Sequence, residues 1–198
     1  MITLIFGDSI AWGAFDLKQG GWAEMLKKAE MPKDGFVYNC SISGNTSTDI
    51  LSRMGDEIDY RLDIDDDLKI ILAFGINDNG RRNKDGDKTL VTDPFLFMEN
   101  IYKIIAKAKT YTDDIIVVGA TKVDQLRSTP VHWDENLYYY NKDIFEGNGF
   151  LKQICADPNI NVQFIDVFDL LDPSNLIDGV HPTPQGHLKL YNKIMNSI

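Results

Sequence analysis

Apolar residues fall into two rhythms along the chain. Short blocks rich in Ile and Val recur at Ile2–Phe6, Phe36–Cys40, Leu68–Phe74, Ile115–Gly119 and Val162–Ile165. Continuous apolar runs of this kind read as strands buried on both faces. Between them the spacing becomes helical. Trp22–Met31 places Trp22, Met25, Leu26 and Ala29 on one face, and Ser47–Leu62 does so with Ile50, Leu51, Met54, Ile58 and Leu62. Pro94–Thr110 carries Met98, Ile101, Ile105 and Ala108, with Pro94 suited to a first helical turn. Asp134–Ala156 also reads as helix, which Gly147 and Gly149 are expected to interrupt. Within it Tyr138-Tyr139-Tyr140 would wind around the axis with at least one ring inward. Pro184–Ile198 closes the chain with Leu188, Tyr191, Ile194 and Met195 on its apolar side.

This alternation predicts an α/β fold, a parallel sheet with helices on both faces, in a single domain over residues 1–198. In such sheets functional groups gather at the carboxyl ends of the strands. Two long aperiodic stretches, Gly75–Asp93 and Thr121–Trp133, each follow a strand and so fall at that end. The second closes on His132–Trp133, expected as a surface turn rather than a pocket wall.

Composition narrows the picture. With 43% hydrophobic and 25% charged residues, the chain reads as an ordinary globular protein. No apolar run approaches the roughly 18 residues of a membrane helix. Met1 leads straight into Ile2–Phe6, too short for the apolar segment of a signal peptide, which points to the cytoplasm. A net charge of −10 repels phosphate backbones, so nucleic acid is not an expected partner, and the lack of a long apolar run makes a membrane an unexpected one too. Cys40 and Cys155 lie among apolar neighbours and read as buried free thiols.

Unusual residues cluster after strands. Gly7-Asp8-Ser9 follows the first, Ser43-Gly44-Asn45-Thr46 the second and Gly75-Ile76-Asn77-Asp78 the third; Asp178-Gly179-Val180-His181-Pro182 precedes the last helix. A serine hydroxyl is a poor nucleophile until a base takes its proton. His181 suits that role, and Asp178, three residues earlier, can reach its other ring nitrogen. An oxyanion needs donors, which the amides of Ser9 and Gly44 and the side chain of Asn77 can supply. Asp8 is expected to bond nearby amides and Asp78 to stabilise its loop. His181 and His187 are six apart, off a common helix face, and no HExxH or paired-cysteine pattern occurs, so no metal is expected. There is no Walker A sequence, and Gly147-Asn148-Gly149 lacks the strand and third glycine of a dinucleotide site, so no cofactor is expected. A GxSxG elbow is also missing. The Asp63–Asp67 run has Leu68 and Phe74 where a calcium loop needs Gly and Glu, and reads as a polar lead-in to the third strand.

Taken together, the four clusters resemble the blocks of the GDSL/SGNH hydrolases: Gly-Asp-Ser, a glycine in the second block, Gly-x-Asn-Asp, and Asp-x-x-His, in order from Gly7 to His181. The resemblance implies a flavodoxin-like three-layer α/β/α sandwich with five parallel strands. It implies Ser9 as nucleophile and oxyanion amide, Gly44 and Asn77 as oxyanion donors, His181 as base and Asp178 as its orienting acid. The expected reaction is hydrolysis of a small-molecule carboxylic ester, with a short acyl group because the chain shows no lid domain. The same residues also suit acyl transfer to an alcohol or sugar, and the fold alone suits a non-catalytic binding module.

Overall fold

The computed structural model describes residues 1–63 and 67–198, so the Asp63–Asp67 lead-in lies largely outside the described residues. In chain order the strands are β1 (Ile2–Gly7), β2 (Phe36–Asn39), β3 (Leu68–Ala73), β4 (Gly80–Lys84), β5 (Asp87–Leu90), β6 (Ile115–Val118), β7 (Leu137–Tyr139) and β8 (Gln163–Ile165). The helices are α1 (Ser9–Trp12), α2 (Gly21–Glu30), α3 (Ser47–Asp59), α4 (Pro94–Lys109), α5 (Gln125–Ser128), α6 (Asn141–Cys155) and α7 (Pro184–Met195).

Each of the five apolar blocks became a strand of one parallel sheet, ordered β2-β1-β3-β6-β8. That order is the flavodoxin-like one, and its direction reverses beside β1. Pleating sends alternate residues to opposite faces. Leu4, Phe6, Ile70 and Leu72 meet Ile50, Met54, Ile101, Ile105, Leu151 and Ile154 of α3, α4 and α6. Ile5, Ile71 and Ile116 meet Trp22, Leu26, Leu190 and Ile194 of α2 and α7 on the other face. The result is the three-layer sandwich expected from the alternating pattern. Both cysteines are buried and unpaired; burial pushes the Cys40 thiol up to about 11 and the Cys155 thiol to about 12.

Four expectations are corrected. First, Gly75–Asp93 is not irregular throughout. It holds the β4–β5 hairpin, turned at Asp85-Gly86, where both residues have positive φ (53° and 96°). Second, residues 134–140 are not helical. Leu137–Tyr139 pairs antiparallel with β4, forming a second sheet in the order β5-β4-β7. Three consecutive tyrosines suit a strand, where rings pack across neighbours. Tyr139 turns inward, while Tyr138 and Tyr140 stack on the other side with centroids 6.4 Å apart. Third, Gly147 and Gly149 do not break α6. A Cβ at Gly147 would lie 2.1 Å from Asn79 Nδ2, so the glycine makes room for a side chain from the β3–β4 connection. Bidentate bonds from Arg81 to Asp143, at 2.6 and 2.8 Å, tie the hairpin to α6. Fourth, Thr121–Trp133 likewise contains α5, whose first turn is capped by the Asp124 carboxylate.

Candidate active site

Gly7 ends β1 where no side chain fits: a Cβ there would sit 2.5 Å from Ala73 O and 2.6 Å from Ala11 Cβ. Asp8 then caps α1, accepting from the Ile10 amide at 2.9 Å, which is the loop-shaping role expected of it. Ser9 is thereby fixed at the carboxyl edge of the sheet, on the first residue of a short helix. Burial pushes the Asp8 carboxyl up to about 6, against the lowering effect of the Ile10 bond and the nearby His181.

Residues far apart in sequence converge on Ser9. Its Oγ lies 2.8 Å from His181 Nε2, and His181 Nδ1 lies 2.7 Å from Asp178 Oδ2. With Nδ1–H donating to the carboxylate, Nε2 is left to accept from the serine hydroxyl. Asp178 Oδ1 also accepts from the amides of Val180 and His181 at 2.9 and 2.8 Å. Burial alone would raise the Asp178 carboxyl, but the bonds from His181 and Val180 outweigh it and hold the group below its usual range. It is therefore charged when the imidazole needs a partner. Gly179 makes the turn possible: its φ is +96°, and a Cβ there would lie 2.7 Å from Arg127 Cβ. Arg127 binds the carbonyls of Pro173, Leu176 and Ile177 at 2.8, 3.0 and 3.1 Å, fixing the segment that leads into Asp178.

Facing the serine, Gly44 has φ +82° and nothing within 4 Å of where its Cβ would stand, so its backbone borders open space. Asn77 is held at both ends: Nδ2 donates to Asn45 O and Oδ1 accepts from the Tyr139 hydroxyl, each at 2.9 Å. Burial pushes the Tyr139 hydroxyl well above its usual range, which keeps it a donor. Asp78 points away from the serine. It accepts from Ser47 N, Ser47 Oγ and Thr92 Oγ1, joining the α3 start to the third block, as its expected loop-stabilising role requires.

Ser9, Gly44, Asn77 and His181 share one cavity of about 320 Å³. Tyr139 and Trp133 also line it; sequence reasoning missed Tyr139 and preferred a surface turn to a pocket wall for Trp133. Trp133 is not a bystander in a surface turn; its ring centroid lies 5.4 Å from that of His181. The misplaced helix over 134–156 hid Tyr139, because its inward direction follows from pairing with β4. The other histidines stand apart. His132 packs edge-on against Trp133, and His187 is buried with Nε2 3.1 Å from Ala14 O.

A flavodoxin-like sheet with Ser, His and Asp in hydrogen-bonded series at its carboxyl edge defines the class, an α/β protein whose site has the geometry of a serine–histidine–aspartate series. The chain belongs to the GDSL-like lipase/acylhydrolase family, whose model matches residues 5–189. Solved structures share the fold. A lipolytic G-D-S-L family member from Veillonella parvula DSM 2008 aligns with TM-score 0.72 and 21% identity, over 99% of this chain and 97% of its own. The lipase/acylhydrolase from Enterococcus faecalis aligns with TM-score 0.73 and 20% identity, over 99% and 94%. An acetyl xylan esterase variant from Geobacillus stearothermophilus gives 0.70 and 21%, over 99% and 93%. No curated protein sequence matches the chain significantly. Among the described residues no helix is long and apolar enough to cross a membrane.

Proposed function

We propose that the protein is a serine esterase that cleaves carboxylic esters with short acyl groups through an acyl-Ser9 intermediate. The observation that carries this reading is the Ser9–His181–Asp178 series opening onto a cavity bordered by Gly44 and Asn77. Ser9 Oγ attacks the ester carbonyl as His181 Nε2 takes its proton. The carbonyl oxygen becomes an oxyanion, stabilised by the amides of Ser9 and Gly44 and the side-chain amide of Asn77. Collapse expels the alcohol, which receives the proton from His181. Water then attacks the acyl-enzyme with His181 again as base, releasing the acid and restoring Ser9.

The size of the cavity, at the small end of ligand sites, favours a short acyl chain. Its rim carries Ser43, Thr46 and the ion-paired Arg82 and Asp134, a border that suits a hydroxylated alcohol better than a long alkyl one. The test is a panel of aryl and sugar esters of increasing acyl length, run with wild type and Ser9→Ala, beside labelling by a fluorophosphonate. Turnover falling with acyl length, and labelling lost in Ser9→Ala, is the expected result. A protein that neither turns over esters nor labels would be a binding module. Acylated sugar appearing only when a sugar acceptor is supplied would make it a transferase.

A further inference from the structure

One aromatic residue sits against the imidazole in a conformation that aromatics rarely adopt. Phe15 has φ +65°, in the left-handed region, and leaves 49% of its surface exposed. Both features work against stability, and strained backbone of this kind persists only where surrounding structure enforces it. Its ring centroid lies 5.2 Å from that of His181, at an interplanar angle of 60°.

The enforcing structure is built around residues 13–21. Gly13 and Gly21 pack so closely that a Cβ on Gly13 would lie 2.0 Å from Gly20 O, and one on Gly21 2.3 Å from Gly13 Cα. The buried Asp16 carboxylate accepts from the amides of Lys18, Gln19 and Gly21 at 3.3, 3.0 and 3.3 Å. From α7, His187 bonds the carbonyl of Ala14, the residue before Phe15, and is fully buried there. Burial lowers its pKa, so it stays neutral and its Nε2–H can donate. Its Nδ1 is left buried without a hydrogen-bond partner, a cost with no return inside α7 itself. The reaction proposed above uses neither Asp16 nor His187. What they hold in place is Ala14–Phe15.

We propose that Phe15 is a positioning residue for His181, and that His187 acts on the same imidazole through it. Asp178 and the Ser9 hydroxyl hold the two ring nitrogens but leave the imidazole free to tip about the line that joins them; a ring packed against it removes this freedom. Phe15 and Trp133 press on His181 from separate segments, yet they differ in one respect. Trp133 lines the cavity that would hold substrate, whereas Phe15 does not line it. The inference rests on the reading of His181 as the base.

Phe15→Ala is expected to lower kcat about tenfold on a short-acyl aryl ester with KM changed less than about twofold, since well-placed catalytic groups lose rate when they loosen. Phe15→Tyr should keep at least about half of kcat, as the ring is retained. Trp133→Ala should change KM as well. His187→Gln should lower kcat in wild type but add little in the Phe15→Ala background, because coupled residues are not additive. A histidine NMR spectrum gives a readout that needs no turnover: the low-field resonance of the His181 Nδ1–H held by Asp178 should broaden in Phe15→Ala as the imidazole loosens, and stay sharp in Phe15→Tyr. An unchanged kcat in Phe15→Ala, with or without a lower melting temperature, overturns the proposal. So does an effect confined to KM, or fully additive loss in the double variant. Absence of any esterase turnover or fluorophosphonate labelling in wild type removes the proposed function instead, and the NMR comparison still decides whether Phe15 orders the ring.

Discussion

Tyr139 donates its hydroxyl hydrogen to Asn77 Oδ1 at 2.9 Å, and this bond decides which end of the Asn77 amide is free to serve as donor. With Oδ1 occupied and one Nδ2 hydrogen given to Asn45 O, the remaining N–H is the one left for the oxyanion of the proposed reaction. Tyr139→Phe removes that constraint while keeping the buried ring. We expect kcat to fall about tenfold, the loss of about one hydrogen bond's worth of order. Asn77→Ala, which deletes the donor itself, should cost about 10²–10³ in kcat. Steady-state kinetics on one ester compares the two; a Tyr139→Phe loss as large as that of Asn77→Ala would mean that the tyrosine acts directly.

Asp178 holds the Nδ1–H tautomer of His181. In Asp178→Asn the side-chain shape survives but the charge facing the imidazolium does not. A fall in kcat of order 10³–10⁴ with little change in melting temperature is expected.

Asp8 makes a prediction about stability. Burial lifts its carboxyl from 3.8 to about 6 in the fold, so the folded state holds this proton more tightly than the unfolded chain does. The associated stability is fully present below the unfolded value and is lost as pH rises through about 6. Asparagine also caps helices and carries no charge to bury. Asp8→Asn should therefore match wild type near about pH 4 and exceed it by about 2 kcal/mol near about pH 8. Urea unfolding at the two pH values tests this; an equal difference at both would show that the burial of charge is not the cause.

Asp78 links two loops that both reach the site. Burial raises its carboxyl, and bonds from Ser47 and Thr92 act against that rise. Asp78→Ala would strand the Ser47 amide and the Thr92 hydroxyl in the interior and leave the Ser47 hydroxyl only its bond from Asn100. A loss of about 3 kcal/mol is expected. Thermal unfolding reads the effect directly. Any activity lost should be recovered at lower temperature, since Asp78 does not line the cavity.

The periodicity of apolar residues was enough for the main sheet, because a strand buried on both faces must be apolar at every position and a helix on one face at every third or fourth. It also placed Ser9, Gly44, Asn77 and Asp178–His181 after strands or before the last helix, hence at one edge. The small sheet was beyond its reach. Leu137-Tyr138-Tyr139 has no partner within its own stretch of chain; pairing with Gly80–Arg82, more than fifty residues earlier, makes it a strand. Gly147 carries the same lesson, since its missing side chain is meaningful only beside Asn79. So the sequence by itself determined which candidate residues gather at the site and on which side of the sheet they lie. Tertiary structure alone decided how they are held. Tyr139 on Asn77, Arg127 under the Asp178 turn and Phe15 against His181 are contacts between distant segments, and no local pattern encodes a contact whose other half lies elsewhere in the chain.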